Sequence, residues 1–267
     1  MANGSSLNPT PSPLSVTFNV WRALFLREAI TRLATRRAAW MWLLLEPAAH
    51  MSIMMFIFTV IRVRVVSGMP SPVWLLVGLL AMFMFMRTGS QSKVAINVNK
   101  SLFAYRQVKP VDTVLARAYL EAFLAIIIAL LMYGCTFLLG FGLYPNNPLL
   151  LISAFFGLWL TGLGYGLITS VIGELLPELD KILKLAMGPI YMVSGVVFPI
   201  GNIPSPYQEW LLYNPIAHAI EASRVSISPF YHPFNGLNLP YTFGVALTMI
   251  FLGLALHKRY AVQLVMK

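Results

Sequence analysis

Charge is the scarcest commodity in this chain. Of its 267 residues only 10% are Asp, Glu, Lys or Arg, whereas 58% are hydrophobic. A soluble domain carries about 25% charged residues, so composition places the chain in a membrane. Cysteine is almost absent too. The single Cys135 lies in an apolar run, which excludes an intrachain disulfide and a thiolate metal cluster and reads as a small buried packing residue. The four histidines, His50, His218, His232 and His257, are far apart and form no H-E-x-x-H, so no metal site is expected. No G-x-x-x-x-G-K-[ST] occurs, so the chain has no loop of that kind to cradle ATP phosphates. The opening "MANGSSLNPTPSPLSVTFNV" lacks a basic stretch followed by an apolar core, unlike a secretory signal, and residues 1–15 read as a disordered start.

What the chain has is long apolar runs. Crossing about 30 Å of hydrocarbon takes about 20 apolar residues. Six stretches qualify, at about 38–61, 73–94, 111–141, 149–172, 182–200 and 241–256. Lys and Arg accumulate on the cytoplasmic side of membrane proteins. With both termini cytoplasmic, sixteen of the nineteen basic residues fall inside and only Arg62, Arg64 and Arg224 fall outside. A further span through "WLLYNPIAHAI" would send the basic tail outside and is rejected. The net charge of +10 then belongs to topology, and no nucleic-acid partner is implied. The expected fold is all-α and polytopic, with six transmembrane helices.

Ahead of the first span, "VWRALFLREAITRLATRR" within 16–37 reads as a helix on the cytoplasmic membrane surface, with Trp21 at the headgroups. An ordinary cytoplasmic helix is the other reading, because Arg32 shares a face with Trp21 and Phe25. In the first span Trp42, Glu46 and His50 follow at intervals of four and share one helix face, beside Pro47. That face suits sugar stacking and hydrogen bonding; alternatively Glu46 pairs with an arginine of the surface helix. Arg62 and Arg64 at the outer end either meet an anionic substrate or snorkel to headgroups. Arg117 and Glu121, four apart, read as a structural pair. Gly162 and Gly166 have the spacing that lets helices approach closely, within one chain or between two. "GELLPELDK" (173–181) supplies Glu174, Glu178 and Asp180 to cap helices or pair with the basic loop.

The connection "VNKSLFAYRQVKPVDTVLAR" (98–117) mixes cations with apolar bulk at Leu102, Phe103, Tyr105 and Val108. It is either a short helix that docks into a partner's groove or a solvated basic loop. Pro110 suits the first turn of the next span and Asp112 suits its positive dipole end. Late in the chain, "FPIGNIPSPYQEWLLYNPIAHAIEASR" (198–224) is too broken by proline to cross and too apolar to float. It reads as an extracytoplasmic re-entrant helical hairpin over about 204–224, broken at Asn214-Pro215, with Glu221 and Arg224 three apart and able to pair.

The surface helix, the first span, "YRQVKPVD-x-x-x-AR" and the pattern FP…IP…NP…E…R together resemble the type-2 ABC export permeases, from about Trp21 to the tail. "RRAAWMWLLLEPAAHM" and "NPIAHAIEASRVSISPFYHP" are most similar to the capsule-polysaccharide branch of that family. The resemblance implies a non-catalytic subunit of the bacterial inner membrane, without a cofactor of its own. It implies a homodimer joined to two copies of an ATPase that binds ATP and Mg. The stretch 98–107 would be the coupling helix, presenting Leu102, Phe103, Tyr105 and Arg106 to that ATPase. The implied cargo is a lipid-linked acidic polysaccharide, handed to a periplasm-spanning co-polymerase and an outer-membrane channel. Trp42, Glu46, His50, Arg62 and Arg64 are then candidates for the canal. Tyr207, Trp210, Tyr213, Asn214, His218, Glu221 and Arg224 would form a gate at its exit. The same fold exporting O-antigen, teichoic polymer, lipid or drug is an alternative. An ion-coupled transporter or membrane enzyme would need a midplane acid or a catalytic cluster, and neither is evident.

Overall fold

Asparagine and proline punctuate the fold. In the computed structural model, which describes residues 12–34, 39–61, 65–105, 107–141 and 144–266, nearly every described residue outside the turns is helical. In chain order come α1 (Pro13–Ala34), α2 (Ala39–Ile61), a short ladder of β1 (Val65–Val66) and β2 (Met69–Pro70), and α3 (Ser71–Lys93). They are followed by α4 (Ala95–Val98), a 3₁₀ turn (Lys100–Ala104), α5 (Pro110–Leu138), α6 (Pro148–Leu175) and α7 (Pro177–Val193). The chain ends with α8 (Ser205–Leu211), α9 (Pro215–Ile227), α10 (Leu239–Arg259) and α11 (Ala261–Met266). Proline stands in the first turn of α3, α5, α6, α7, α8, α9 and α10, where its missing N–H costs nothing. Asn147, Asn214 and Asn238 cap α6, α9 and α10, each side chain accepting from a first-turn N–H at 3.0–3.2 Å.

Among the described residues four helices, α3, α5, α6 and α10, are long and apolar enough to cross a membrane, and α2 adds a shorter apolar stretch, Leu44–Phe58. The core centres on α3, whose first half is buried on every face, with Trp74, Leu75, Leu76 and Leu80 almost inaccessible. It is covered by α2, α5, α6 and α9, while α10 packs along the other side of α6. Gly162 and Gly166 make the α3–α6 contact possible. A Cβ on Gly162 would lie 2.8 Å from the Phe85 carbonyl oxygen, and one on Gly166 would lie 2.3 Å from Ser92 Cβ. Their close approach is therefore within the chain.

Several boundaries differ from expectation. The first helix starts at Pro13 rather than at 16. It is held against α5, where Trp21 Nε1 donates to Asp112 Oδ1 at 2.8 Å instead of standing alone among headgroups. The fifth apolar stretch stops being helical at Val193, short of the expected 200, because Gly195 turns the backbone through a positive φ of 74°. The remaining helix, α7, is amphipathic and buries none of its described residues. The ladder is a departure from an all-α fold. Ser67 and Gly68 both have positive φ, 49° and 86°, the geometry of a two-residue type I′ turn.

Candidate functional site

Each end of the helix bundle carries a polar cluster. At the end bearing β1–β2, α8 and α9, the sequence pair Glu221 and Arg224 does form, with Nη1 donating to Oε1 at 2.8 Å. It forms in the protein interior rather than beside lipid, since Arg224 is fully buried. A buried guanidinium needs its donors satisfied. Nη1 also donates to the Gly195 carbonyl oxygen at 2.9 Å, Nη2 to that of Val196 at 3.1 Å, and Nε to that of Trp74 at 3.3 Å. The Trp74 ring lies 3.7 Å from Cζ, a cation–π contact. Gly78 leaves room, because a Cβ there would come within 2.3 Å of Nη2. On the acid's other side, the Tyr231 hydroxyl donates to Glu221 Oε2 at 2.7 Å and accepts from Trp74 Nε1 at 3.3 Å. Burial pushes the Tyr231 pKa well above that of an ordinary phenol, so the hydroxyl keeps the proton it donates. The cluster ties α9 to α3 and to the turn after α7.

His218 and Asn214 belong to the same scaffold. His218 Nδ1 accepts from the Asn238 N–H at 3.1 Å, so its proton sits on Nε2, which donates to the Leu212 carbonyl at 2.8 Å. Asn214 Nδ2 donates to Ser194 Oγ at 2.9 Å. By contrast Tyr207, Trp210 and Tyr213, on and just after α8, are 69%, 78% and 78% exposed. The residues expected to form one gate therefore divide. Asn214, His218, Glu221 and Arg224 anchor α9, and the rings of Tyr207, Trp210 and Tyr213 are exposed. Beside them lies a cavity of about 780 Å³ between the ends of α2 and α7, walled by Phe58, Val66, Trp74, Val193, Ile203 and Leu211.

At the opposite end α1 is fastened by charge. Glu28, the one acid on that helix, accepts from Arg32 at 2.9 Å and from Arg117 at 2.7 Å. Glu121 accepts from Arg87 at 3.1 Å and also bonds Arg32. Arg117 and Glu121 thus bond different partners, not each other as the spacing had suggested. Gln91 Oε1 takes a further Arg32 N–H at 2.9 Å, and Arg27 donates to Asn99 Oδ1 at 3.0 Å. The last turn of α3, the Asn99 turn and the start of α5 are all gripped by α1. Two of the three acids of 173–181 form ion pairs, Glu174 with Lys100 at 2.9 Å and Asp180 with Lys93 and Lys184.

In the stretch expected to couple, Phe103 is buried in the chain's own core, Leu102 is half-buried and Tyr105 is 66% exposed. Phe103 packs inside the chain, and Arg106 lies outside the described residues. On α2, Trp42, Glu46 and His50 are all exposed along one face, Trp42 by 64%. Arg62 and Arg64 also lie outside the described residues. Trp74, Gly78 and Tyr231 escaped sequence reasoning because nothing local marks an aromatic or a glycine as an arginine's partner. Glu28 did carry a signal, as the lone acid in a basic helix.

The model of the family described as ABC-2 type transporter matches residues 19–228, from α1 through α9. The chain belongs to this family. Two Escherichia coli proteins named polysialic acid transport protein KpsM are 38% and 37% identical to it over 236 residues, 88% of this chain and 91% of theirs. The Neisseria meningitidis serogroup A protein CtrC, a capsule polysaccharide export inner-membrane protein, is 25% identical over 90% of each chain. The corresponding Haemophilus influenzae protein BexB is 26% identical over 79% of this chain and 80% of its own. The chain is a multi-pass inner-membrane protein.

Proposed function

We propose that this chain is the permease subunit of an ATP-driven exporter of capsular polysaccharide. The observation that carries the reading is near end-to-end similarity to relatives named for polysialic acid transport and capsule polysaccharide export. Two copies of the chain join two copies of a separate ATPase, which binds ATP and Mg. The chain itself supplies no catalysis and no cofactor.

Six spans place both termini in the cytoplasm, since that arrangement puts sixteen basic residues inside and three outside. The end holding α1 and the Asn99 turn then faces the ATPase, and Leu102 and Tyr105 are the coupling contacts. Motion there reaches the membrane through α1, whose arginines grip α3 and α5. The exposed face of α2, with Trp42, Glu46 and His50, and the unburied α7 face the second copy across the canal. At the far end α8 and α9 are a re-entrant pair. Arg224 fixes its inner arm, and Tyr207, Trp210 and Tyr213 offer rings on which sugars stack as the polymer leaves. The cargo is a lipid-linked acidic polysaccharide, passed to a periplasm-spanning co-polymerase and an outer-membrane channel.

Deleting the gene in its host and locating the polymer tests this. Acidic polysaccharide retained inside the cell supports the reading, and a normal surface capsule overturns it.

A further inference from the structure

Beside the coupling turn is a cavity that export of a polymer leaves unexplained. It has a volume of about 650 Å³ and opens between the segment 103–111 and the last turn of α10 with α11. That size lies in the range of small-molecule sites, roughly 300–1,000 Å³. Its wall is largely apolar, with Phe103, Val108, Val111, Leu254, Ala261 and Val265. Two cations, Lys109 and Lys258, join Tyr105 in the lining, and both are exposed. Among the described residues neither ammonium group has a carboxylate partner; the Lys109 contact to Asp112 runs through its backbone N–H. His257 also lines the cavity. Its Nε2 is spent on Ser170 Oγ at 3.1 Å, and among the described residues its buried Nδ1 has no hydrogen-bond partner.

The place in the fold narrows the occupant. The cavity sits where two apolar helices, α5 and α10, reach the same end of the bundle. An apolar slot with free ammonium groups at its rim matches a molecule with a hydrocarbon tail and an anionic head. Basic pockets between spans on the cytoplasmic side attract anionic lipid headgroups. A nucleotide or a free phosphate would leave the apolar wall uncovered. A purely apolar lipid would leave Lys109 and Lys258 unanswered.

We infer that this cavity is a site for one anionic phospholipid of the cytoplasmic leaflet, its phosphate between Lys109 and Lys258 and an acyl chain along Val108, Leu254 and Val265. The placement on the cytoplasmic side rests on the topology proposed above, but the chemistry of the cavity does not. A lipid held there touches both the coupling segment and the end of α10, and so links ATPase docking to the composition of the membrane.

The test is native mass spectrometry of the full chain released from detergent, titrated with phosphatidylglycerol or with phosphatidylcholine, alone and with its ATPase bound. The wild type is expected to retain one phosphatidylglycerol about tenfold more tightly than phosphatidylcholine. Lys109→Gln with Lys258→Gln should abolish that preference. Ala261→Phe, at an exposed position where bulk is tolerated, should weaken retention of phosphatidylglycerol with both lysines intact. Equal retention of the two lipids, or an unchanged preference in the double variant, overturns the inference. So does binding lost whenever the ATPase is present, which would make the cavity part of the protein–protein contact. Because the readout is lipid bound by the isolated chain, it stands or falls apart from the identity of the exported polymer.

Discussion

The Arg224 guanidinium lies 3.7 Å from the centroid of the Trp74 ring and donates through Nε to the carbonyl oxygen of that same residue at 3.3 Å. Trp74 thus meets the cation with both its face and its backbone. Its indole N–H reaches Tyr231, which in turn holds Glu221. A charge with no exposure is tolerable only when such a shell is complete, and the shell fixes where α9 can sit.

Removing one member should therefore cost far more than removing the pair. Arg224→Met leaves Glu221 buried with Tyr231 alone and is expected to lower stability by about 3–5 kcal/mol. Combining it with Glu221→Leu should recover much of that loss, a non-additivity that thermal unfolding in detergent would measure. Additive losses would mean that the two side chains do not act as a unit.

Gly78 gives a second test of the same geometry. A methyl group there would meet Arg224 Nη2 at 2.3 Å. Gly78→Ala should cost about 1–3 kcal/mol as overpacking. In an Arg224→Met background most of that cost should disappear. An equal cost in both backgrounds would place the clash elsewhere.

Local signals in the sequence located much of this fold. The break read at Asn214-Pro215 marks a real helix start, and the three-residue spacing of Glu221 and Arg224 marks a real ion pair. What stayed hidden was set by contacts across the chain. Arg224 finds Trp74 across 150 positions, and Trp21 finds Asp112 across 91. Trp21 and the arginines of the first helix suggested a membrane surface, whereas Trp21, Glu28 and Arg32 are answered by α3 and α5. Hydropathy also carried the fifth span past Val193, because it is blind to the positive φ at Gly195. Apolar bulk marked Phe103 for docking, but bulk alone does not tell an outward side chain from a core one.

The α1 clasp should behave as a network. Glu121→Ala leaves Arg32 and Arg87 without their shared carboxylate, with an expected loss of about 3–5 kcal/mol. Hydrogen exchange should rise along α1 and leave α10 unchanged. Uniform loosening of both helices would contradict a local clasp.

Neighbours in the coupling stretch should respond in opposite ways. Tyr105→Asp places a charge at an exposed position, so the chain should fold normally while ATP hydrolysis no longer drives transport. Phe103→Asp buries an unpaired carboxylate and should prevent stable folding. Normal coupling in Tyr105→Asp, or wild-type stability in Phe103→Asp, would put the ATPase contact elsewhere.

The most direct measurement of the central claim is polysaccharide uptake into inverted inner-membrane vesicles that contain this chain and its ATPase. ATP should drive labelled acidic capsular polysaccharide into the vesicle lumen, and vesicles without this chain should take up none. Equal uptake with and without the chain, or uptake indifferent to ATP, would contradict its role as the export permease.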